Sequence, residues 1–173
     1  TNIYYHYNGI NKIVSRDDSH DVWYYNFVAS GIPHRLEVDT DEMARNELTV
    51  FVDCRIEDDH GELMGVVGVG VKMRELQQIL ASFELDFDLT AFLVNREGVV
   101  QVHTSDAMIT NATIDDLLPV SEYRKKIFTK SRVESSWYKY NGQETCLFTR
   151  YIDDLDWYLI VEKDTAIIKE SLL

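Results

Sequence analysis

The sequence has 173 residues, with 17 lysines and arginines against 30 aspartates and glutamates, so its formal net charge is −13. A chain this acidic is not expected to bind nucleic acid or an anionic membrane surface, because both need a basic patch. With 45% hydrophobic and 12% aromatic residues, it is expected to fold around a core. No apolar run approaches the length of about 18 residues that a membrane-spanning helix needs, and no basic-then-apolar leader opens the chain. We therefore predict neither a membrane span nor a signal peptide.

The first half predicts strands interrupted by two helices. Alternating β-branched and aromatic residues predict a strand at 1–7 that ends at Asn8 and Gly9. Apolar residues spaced four apart, closed by Gly31, predict a short amphipathic helix over 19–31. The other predicted elements of this half are strands at 34–39, 47–56 and 62–73, a turn at 58–61 and a helix at 74–83.

The second half repeats this plan. Asn141 and Gly142 form a strong hairpin signal, and a pattern of strand, acidic turn and strand at 49–59 recurs faintly at 145–154. The chain is therefore predicted to be α+β, with two tandem modules that each contain an antiparallel sheet and flanking helices. The predicted elements of this half are strands at 89–94, 99–103, 133–140, 145–152 and 157–161, and helices at 114–118, 121–131 and 164–173.

No pattern in the chain indicates catalysis or a bound metal. The five histidines lack zinc-ligand spacing, and neither a nucleophile elbow nor a phosphate loop is present. The acidic pairs at 39–41 and 58–59 fit turns better than a calcium loop. Cys54 and Cys146 fall within predicted strands and are expected to be buried as small hydrophobes. We predict no catalytic residue, no cofactor and no metal ligand.

The order of these motifs resembles that of double Cache (dCache) sensor domains. The runs at 21–27, 36–41 and 48–71 resemble the membrane-distal module of that family, and the runs at 92–103 and 157–162 resemble its membrane-proximal module. The resemblance covers nearly the whole chain. It implies two PAS-like modules. Family members normally begin with a long helix, and the sequence predicts no such helix before the strand at 1–7.

The resemblance also implies a domain organisation and a role. Residues 1–83 correspond to a distal module that is incomplete and ends in a connecting helix, 84–163 to the proximal module, and 164–173 to a helix leading to a membrane helix. Cache domains are extracytoplasmic (periplasmic or extracellular) sensors that lie between two transmembrane helices of bacterial and archaeal receptors. The outputs of these receptors include histidine kinases, diguanylate cyclases and chemotaxis transducers. The implied partners are a small-molecule ligand and a second copy of the chain, paired through the absent N-terminal helix.

The distal module is the part of the family that usually holds the ligand. In the amino-acid-binding branch, an arginine two residues before a Trp-Tyr pair grips the ligand carboxylate, and an aspartate in the Gly-Val-Val-Gly-Val-Asp strand grips its ammonium. Here Trp23 and Tyr24 match, but Asp21 stands at the arginine position and Gly70 at the aspartate position. A carboxylate beside two aromatic rings favours an amine or another cation. Charge complementarity with the helix N-terminus is an equally good interpretation of Asp21.

Further candidate ligand-binding residues are Asp39, Asp53 and Arg55. An anionic ligand stays open as an alternative, because Arg16, Arg35 and Arg55 could neutralise it. Strand alternation places Phe51 with Asp53 and Arg55 on one face, but it does not decide which face lines a pocket. Two other functions remain open for the chain. One is a ligand-free dimerisation or protein-interaction module of the same receptor type, and the other is a metal-dependent hydrolase.

Overall fold

The structure is a computed structural model that describes residues 2–118, 127–128, 134–140 and 143–164. Three α-helices are described: α1 at Val22–Ser30, α2 at Met73–Phe87 and α3 at Ile114–Leu117. The described strands are β1 Ile3–His6, β2 Gly9–Ile13, β3 His34–Asp41, β4 Glu47–Glu57, β5 Leu63–Lys72, β6 Thr90–Val94, β7 Val100–Val102, β8 Glu134–Tyr140, β9 Gln143–Ile152 and β10 Trp157–Asp164. The predicted α+β class is confirmed.

The N-terminal region is a hairpin rather than a single strand. β1 pairs antiparallel with β2, so that Tyr4 lies opposite Lys12 and His6 opposite Gly9. The turn consists of Tyr7 and Asn8, and Gly9, the first residue of β2, has a φ of 117° that favours glycine. β2 was not predicted, although the Asn-Gly signal and the alternation that follows it indicate a hairpin.

The helix α1 begins later than the sequence predicts, because a 3₁₀ turn at Ser19–Asp21 precedes it. Asp18 caps that turn by accepting a hydrogen bond from the His20 N–H at 2.9 Å. The helix ends at Gly31, whose φ of 68° gives the left-handed conformation that closes many helices. The predicted C-terminal signal at Gly31 is confirmed.

A three-stranded sheet has the order β3-β4-β5. The turn between β4 and β5 is the predicted acidic one: the Asp58 side chain accepts hydrogen bonds from the N–H groups of His60 and Glu62, at 2.8 and 2.9 Å. So tight a turn makes β4 and β5 antiparallel neighbours. α2 follows β5 directly and is longer at its C-terminal end than predicted.

A five-stranded antiparallel sheet in the order β7-β6-β10-β9-β8 forms the second half of the chain. β10 continues through Asp164, the first residue of the helix predicted at 164–173. The rest of that helix, the hairpin turn at 141–142 and all but residues 127–128 of the helix predicted at 121–131 lie outside the described residues. The core of this sheet contains Phe92, Val94, Val100, Ile114, Leu147 and Ile160, each at most 1% exposed.

The chain divides into two compact units. The first unit contains Thr1–Glu37 and Phe51–Gly70, and the second contains Val38–Val50 and Val71–Leu173. Cys54 is partly buried and Cys146 is buried, and both are free thiols. The module boundaries predicted from the resemblance, at 83 and 163, remain predictions.

Candidate functional site

The most unusual side chain of the first unit is Asp53, in the middle of β4. It is only 3% exposed, yet within the described part of the chain its carboxylate makes no hydrogen bond and no ion pair. Burying an ionised carboxylate without a partner is costly, since no protein dipole or charge replaces the water that it loses. A buried carboxylate of this kind is therefore a candidate binding group.

A glycine on the neighbouring strand makes room for the Asp53 side chain. A Cβ atom built on Gly68 of β5 would lie 2.7 Å from Oδ1 of Asp53, closer than carbon and oxygen atoms can approach without a shift. Glycine within a strand often marks a place where another group must come close. Gly68 therefore lets the Asp53 carboxylate pack directly against the backbone of β5.

Two charged residues of β3 act on Asp53. Burial is the main cause that raises the pKa of Asp53 to about 6, the negative charge of Glu37 raises it further, and the positive charge of Arg35 lowers it. Arg35 and Glu37 form an ion pair with each other through Nη2 and Oε2. The Nε atom of Arg35 is buried without a hydrogen-bond partner among the residues described. Among the described residues, the Asp53 carboxylate and the Nε–H of Arg35 are thus both without a hydrogen-bond partner.

The helix α1 supplies the aromatic part of the site. Phe27 is fully buried, and the guanidinium carbon of Arg35 lies 6.0 Å from the centre of its ring. Trp23 lies one helical turn before Phe27 and therefore on the same face. It contacts Tyr24 edge to face, with ring centres 5.9 Å apart. Both rings are partly exposed, so they are available to a ligand.

Arg55 shows which face of β4 is directed toward α1. Its Nη1 donates a hydrogen bond to the carbonyl of Val28 at 3.1 Å, and its Nε forms an ion pair with Glu57 at 2.7 Å. Because alternate residues of a strand share a face, Asp53 lies on the same side of β4 as Arg55. The face with Asp53 is thus the one directed toward α1, and its role in lining a pocket stays a prediction. The guanidinium of Arg55 holds the C-terminal end of α1.

Asp21 lies at the N-terminus of α1 and is 3% exposed. Its Oδ1 is 2.9 Å from Nζ of Lys12, and its Oδ2 accepts a hydrogen bond from the N–H of Ser15 at 2.8 Å. Lys12 also forms an ion pair with Asp18, at 3.0 Å. Both oxygens of Asp21 therefore have partners within the protein, which ties β2 and the segment after it to the start of α1.

The two remaining candidates lie in other surroundings. Asp39 is exposed, belongs to the second unit and accepts a hydrogen bond from the N–H of Thr40 at 2.7 Å. Gly70 is exposed near the end of β5. The structure thus brings Trp23, Tyr24, Asp53 and Arg55 into one unit, together with Arg35, which the sequence left open for an anionic ligand. Two further residues of this unit, Glu37 and Gly68, were not candidates. The signal that pointed to Gly68 was the glycine-rich run of β5.

No group of three or more histidine, cysteine, aspartate or glutamate side chains that could hold a metal ion occurs in the ranges that the structure describes. Nor does any helix within those ranges have the length and apolar character needed to cross a membrane. The candidate site therefore consists of a carboxylate, an arginine–glutamate pair and aromatic rings.

No protein-family model matches the chain. Solved structures match it well in fold. The extracellular domain of mmHK1S-Z3, a protein described as a histidine kinase, superimposes with a TM-score of 0.69 at 16% identity, over 95% of this chain and 60% of that one. The ligand-binding domain of the Pseudomonas fluorescens chemoreceptor CtaA, in complex with L-isoleucine, gives a TM-score of 0.64 at 17% identity, over 94% and 65% of the two chains. The ligand-binding domain of the Pseudomonas aeruginosa amino-acid chemoreceptor PctB, in complex with L-Arg, gives 0.63 at 21% identity, over 91% and 65%.

The chain thus spans about three fifths of the length of the solved domains that it matches. These identities are low, so the likeness concerns the fold. The fold that the dCache resemblance implied is confirmed: the chain has the fold of the extracellular sensor and ligand-binding domains of histidine kinases and chemoreceptors.

Proposed function

We propose that this chain is the extracytoplasmic sensor domain of a transmembrane receptor, and that it binds a small polar molecule in its first unit. The observation that carries the proposal is the buried carboxylate of Asp53, which packs against Gly68 and has no partner among the described residues. The desolvation of such a carboxylate costs stability in every ligand-free molecule. A bound ligand of complementary charge offsets that cost.

The surroundings of Asp53 support a ligand site rather than a structural role. Concave sites typically combine an apolar, aromatic lining with a few polar groups that fix orientation. Here α1 supplies Trp23 and Tyr24, while the free Nε of Arg35 adds a hydrogen-bond donor. The CtaA and PctB domains, which share the fold, are ligand-binding domains solved with amino acids. These facts favour the sensor over the ligand-free interaction module and over the hydrolase.

The receptor context belongs to the same proposal. Residues 1–83 act as the membrane-distal module, 84–163 as the membrane-proximal module, and 164–173 lead into a membrane helix. A second membrane helix and the long helix of the family precede the chain, and two copies pair through that helix. The domain itself is not catalytic; any kinase, cyclase or chemotaxis output lies elsewhere in the receptor. Ligand binding shifts the population between two packing arrangements, and the C-terminal helix transmits this shift.

A thermal-shift screen of amines, amino acids and carboxylates tests the proposal on the 173-residue chain. A ligand at about 100 times its Kd stabilises the folded state by roughly 2.7 kcal/mol, enough to raise Tm by several degrees. Trp23→Ala should weaken that response at least tenfold in ligand concentration, because it removes an aromatic wall. Trp137→Ala is the matched control: Trp137 is 59% exposed on β8 of the second unit, and its loss should leave the response unchanged.

Two outcomes would contradict the proposal. If no compound raises Tm while the chain self-associates in sedimentation, the ligand-free interaction module is the better assignment. If Trp137→Ala weakens the response as much as Trp23→Ala does, the ligand does not bind in the first unit.

A further inference from the structure

We infer that β5 is a self-association edge, at which a second copy of the chain adds its own β5 in antiparallel orientation about a two-fold axis. This pairing needs no bound ligand, so it goes beyond the proposed function. It is also separate from the pairing through a preceding helix that we proposed for the receptor.

The two edge strands of the three-stranded sheet differ in charge. In the part of the chain that the structure describes, the strand order is β3-β4-β5, so β3 and β5 lie at the edges. β3 contains Arg35, Glu37, Asp39 and Asp41, whereas β5 has ten residues of which only the last, Lys72, is charged. Natural sheets protect their edges with charged residues or proline, among other means. β5 contains no proline either, so its outward N–H and C=O groups can pair with another strand.

The side chains of β5 are also open to solvent in the described structure. Met64 is 72% exposed, Val67 47% and Val69 63%, and the strand is exposed throughout 67–72. Removing apolar surface of this kind from water is favourable, and contiguous exposed apolar residues often mark a contact surface. β5 therefore combines an unprotected backbone edge with apolar side chains that a partner would bury.

The charges at the two ends of β5 select one register for a second copy. In a two-fold antiparallel pair of identical strands, one residue lies opposite its own counterpart. If that residue is Val67, Glu62 lies opposite Lys72 of the second copy, and this pair of opposite charges occurs twice. A centre one residue earlier or later places Lys72 opposite His60 or Met64 instead. Charge complementarity therefore favours the register centred on Val67.

The same register sets glycines against larger side chains. Three pairs of this kind occur between the copies: Met64 with Gly70, Gly65 with Val69, and Val66 with Gly68. Directly opposed residues share a face of the sheet, with Cβ positions about 4.5–5.5 Å apart. A glycine leaves its strand without a side chain to pack, and the residue opposite it covers that bare backbone. β5 is thus complementary to itself in side-chain size as well as in charge.

The dimer is expected to be weak. Each copy contributes a single strand, and the net charge of −13 adds repulsion between the copies. We expect a Kd on the order of 100 µM, as for small, transient interfaces. Two copies held in one receptor have an effective concentration in the range of about 1 mM, at which such a dimer forms.

Analytical ultracentrifugation of residues 1–173, from about 10 µM to 1 mM, tests the inference across the expected Kd. We expect the wild type to change from monomer to dimer over this range. Val67→Lys should weaken dimerisation by about tenfold or more, because two lysines then face each other across the axis. Ile79→Lys is the matched control: Ile79 is 54% exposed on α2, and the same substitution there should leave the Kd unchanged.

A charge exchange tests the register. Glu62→Lys and Lys72→Glu should each weaken the dimer by about threefold or more, since like charges then lie opposite each other twice. The combined variant restores opposite charges and should dimerise more tightly than either single variant. Lys72 also forms an ion pair with Glu47 of its own copy, at 3.0 Å. A purely structural effect of losing that pair would not be rescued by Glu62→Lys, and thermal melts establish that each variant folds.

Disulfide cross-linking locates the axis. With Cys54 and Cys146 replaced by alanine, Val67→Cys should give a covalent dimer on oxidation, because residue 67 lies opposite its own counterpart. Val69→Cys is the control. It is more exposed than Val67, but its two copies are offset by four residues along the strands, about 13 Å, which is too far for a disulfide.

Three results would overturn the inference. The first is a chain that stays monomeric up to the highest concentration, and the second is a dimer that Val67→Lys leaves intact. The third is a combined charge variant that dimerises more weakly than both single variants. Ligand binding is measured separately, by the rise in Tm. A monomer that binds a screened compound would defeat the inference alone, whereas a β5 dimer that binds none would defeat the proposed function alone.

Discussion

At the scale of single residues, the proposed role of Asp53 in ligand binding opposes the stability of the ligand-free folded chain. Its pKa of about 6 lies above the ordinary value of 3.8, because burial disfavours the charged form. The folded chain therefore holds a proton between those two values that the unfolded chain has released. The contribution of this residue to the free energy of unfolding is fully present below about pH 4 and is lost as the pH rises through about 6.

This linkage predicts that Asp53→Asn stabilises the ligand-free chain at neutral pH. A shift of about two pKa units corresponds to roughly 3 kcal/mol, so the variant should approach the wild type near pH 4 and exceed it by up to that amount at pH 7. Urea unfolding at several pH values measures the difference. For Asp59→Asn, the difference in free energy of unfolding from the wild type should not change with pH. A variant that is less stable than the wild type at pH 7 would mean that the Asp53 carboxylate has a stabilising partner.

Asp53 also shows how far the sequence can specify a site. Alternation along the strand groups it with Phe51 and Arg55, and this grouping is correct. Which face is directed toward α1 is shown only by a contact between elements distant in sequence, the hydrogen bond from Arg55 to the Val28 carbonyl. The closeness of Gly68 to Asp53 likewise depends on the pairing of β4 with β5. No local pattern contains such information, because a shift of one residue in register exchanges the two faces of a strand.

At the scale of elements, Asp21 joins the N-terminal hairpin to α1. The sequence allowed two interpretations of this residue, ligand contact or helix N-terminal electrostatics. The structure pairs its carboxylate with Lys12 and with the Ser15 N–H, from which we expect a structural role, while ligand contact by Asp21 stays a prediction. The ion pair of Asp21 with Lys12 could not be predicted, because β2, the strand that contains Lys12, was not predicted. Local signals thus predicted the C-terminal end of α1 well, its start less well and its tertiary contacts poorly.

A double-mutant cycle on this ion pair follows from its geometry. Asp21→Asn should lower the free energy of unfolding by about 1–2 kcal/mol, since it removes the charge of a buried ion pair but keeps an oxygen for the Ser15 N–H. Lys12→Met should cost a similar amount, and the double variant should cost less than the sum of the two. The affinity for a ligand found in the thermal-shift screen should remain within about twofold of the wild type. Loss of binding in Asp21→Asn with unchanged stability would restore the ligand role of Asp21.

At the scale of the whole molecule, the two units differ in how much apolar surface they bury. In the described part of the first unit, Phe27 is the one fully buried apolar side chain, and the other buried residues are Asp21 and Asp53. The second unit contains nearly all of the hydrophobic core, most of it in the five-stranded sheet. Apolar burial is the main source of stability, so the first unit is expected to open more readily. Ligand-binding regions are commonly drawn from the less stable parts of a fold.

This asymmetry predicts the pattern of amide hydrogen exchange. Without ligand, protection should be highest in β6, β9 and β10 and lower in α1 and β1. A saturating ligand from the thermal-shift screen should raise protection in α1, in the residues of β4 that follow Val50, and in β5, because those segments carry the proposed site. The five-stranded sheet should change little, since its opening does not release the ligand. Mass-spectrometric exchange on the wild type and on Asp53→Asn measures this, and the variant should show no ligand effect. Equal protection of both units, rising together with ligand, would instead mean that the chain opens as a single cooperative body.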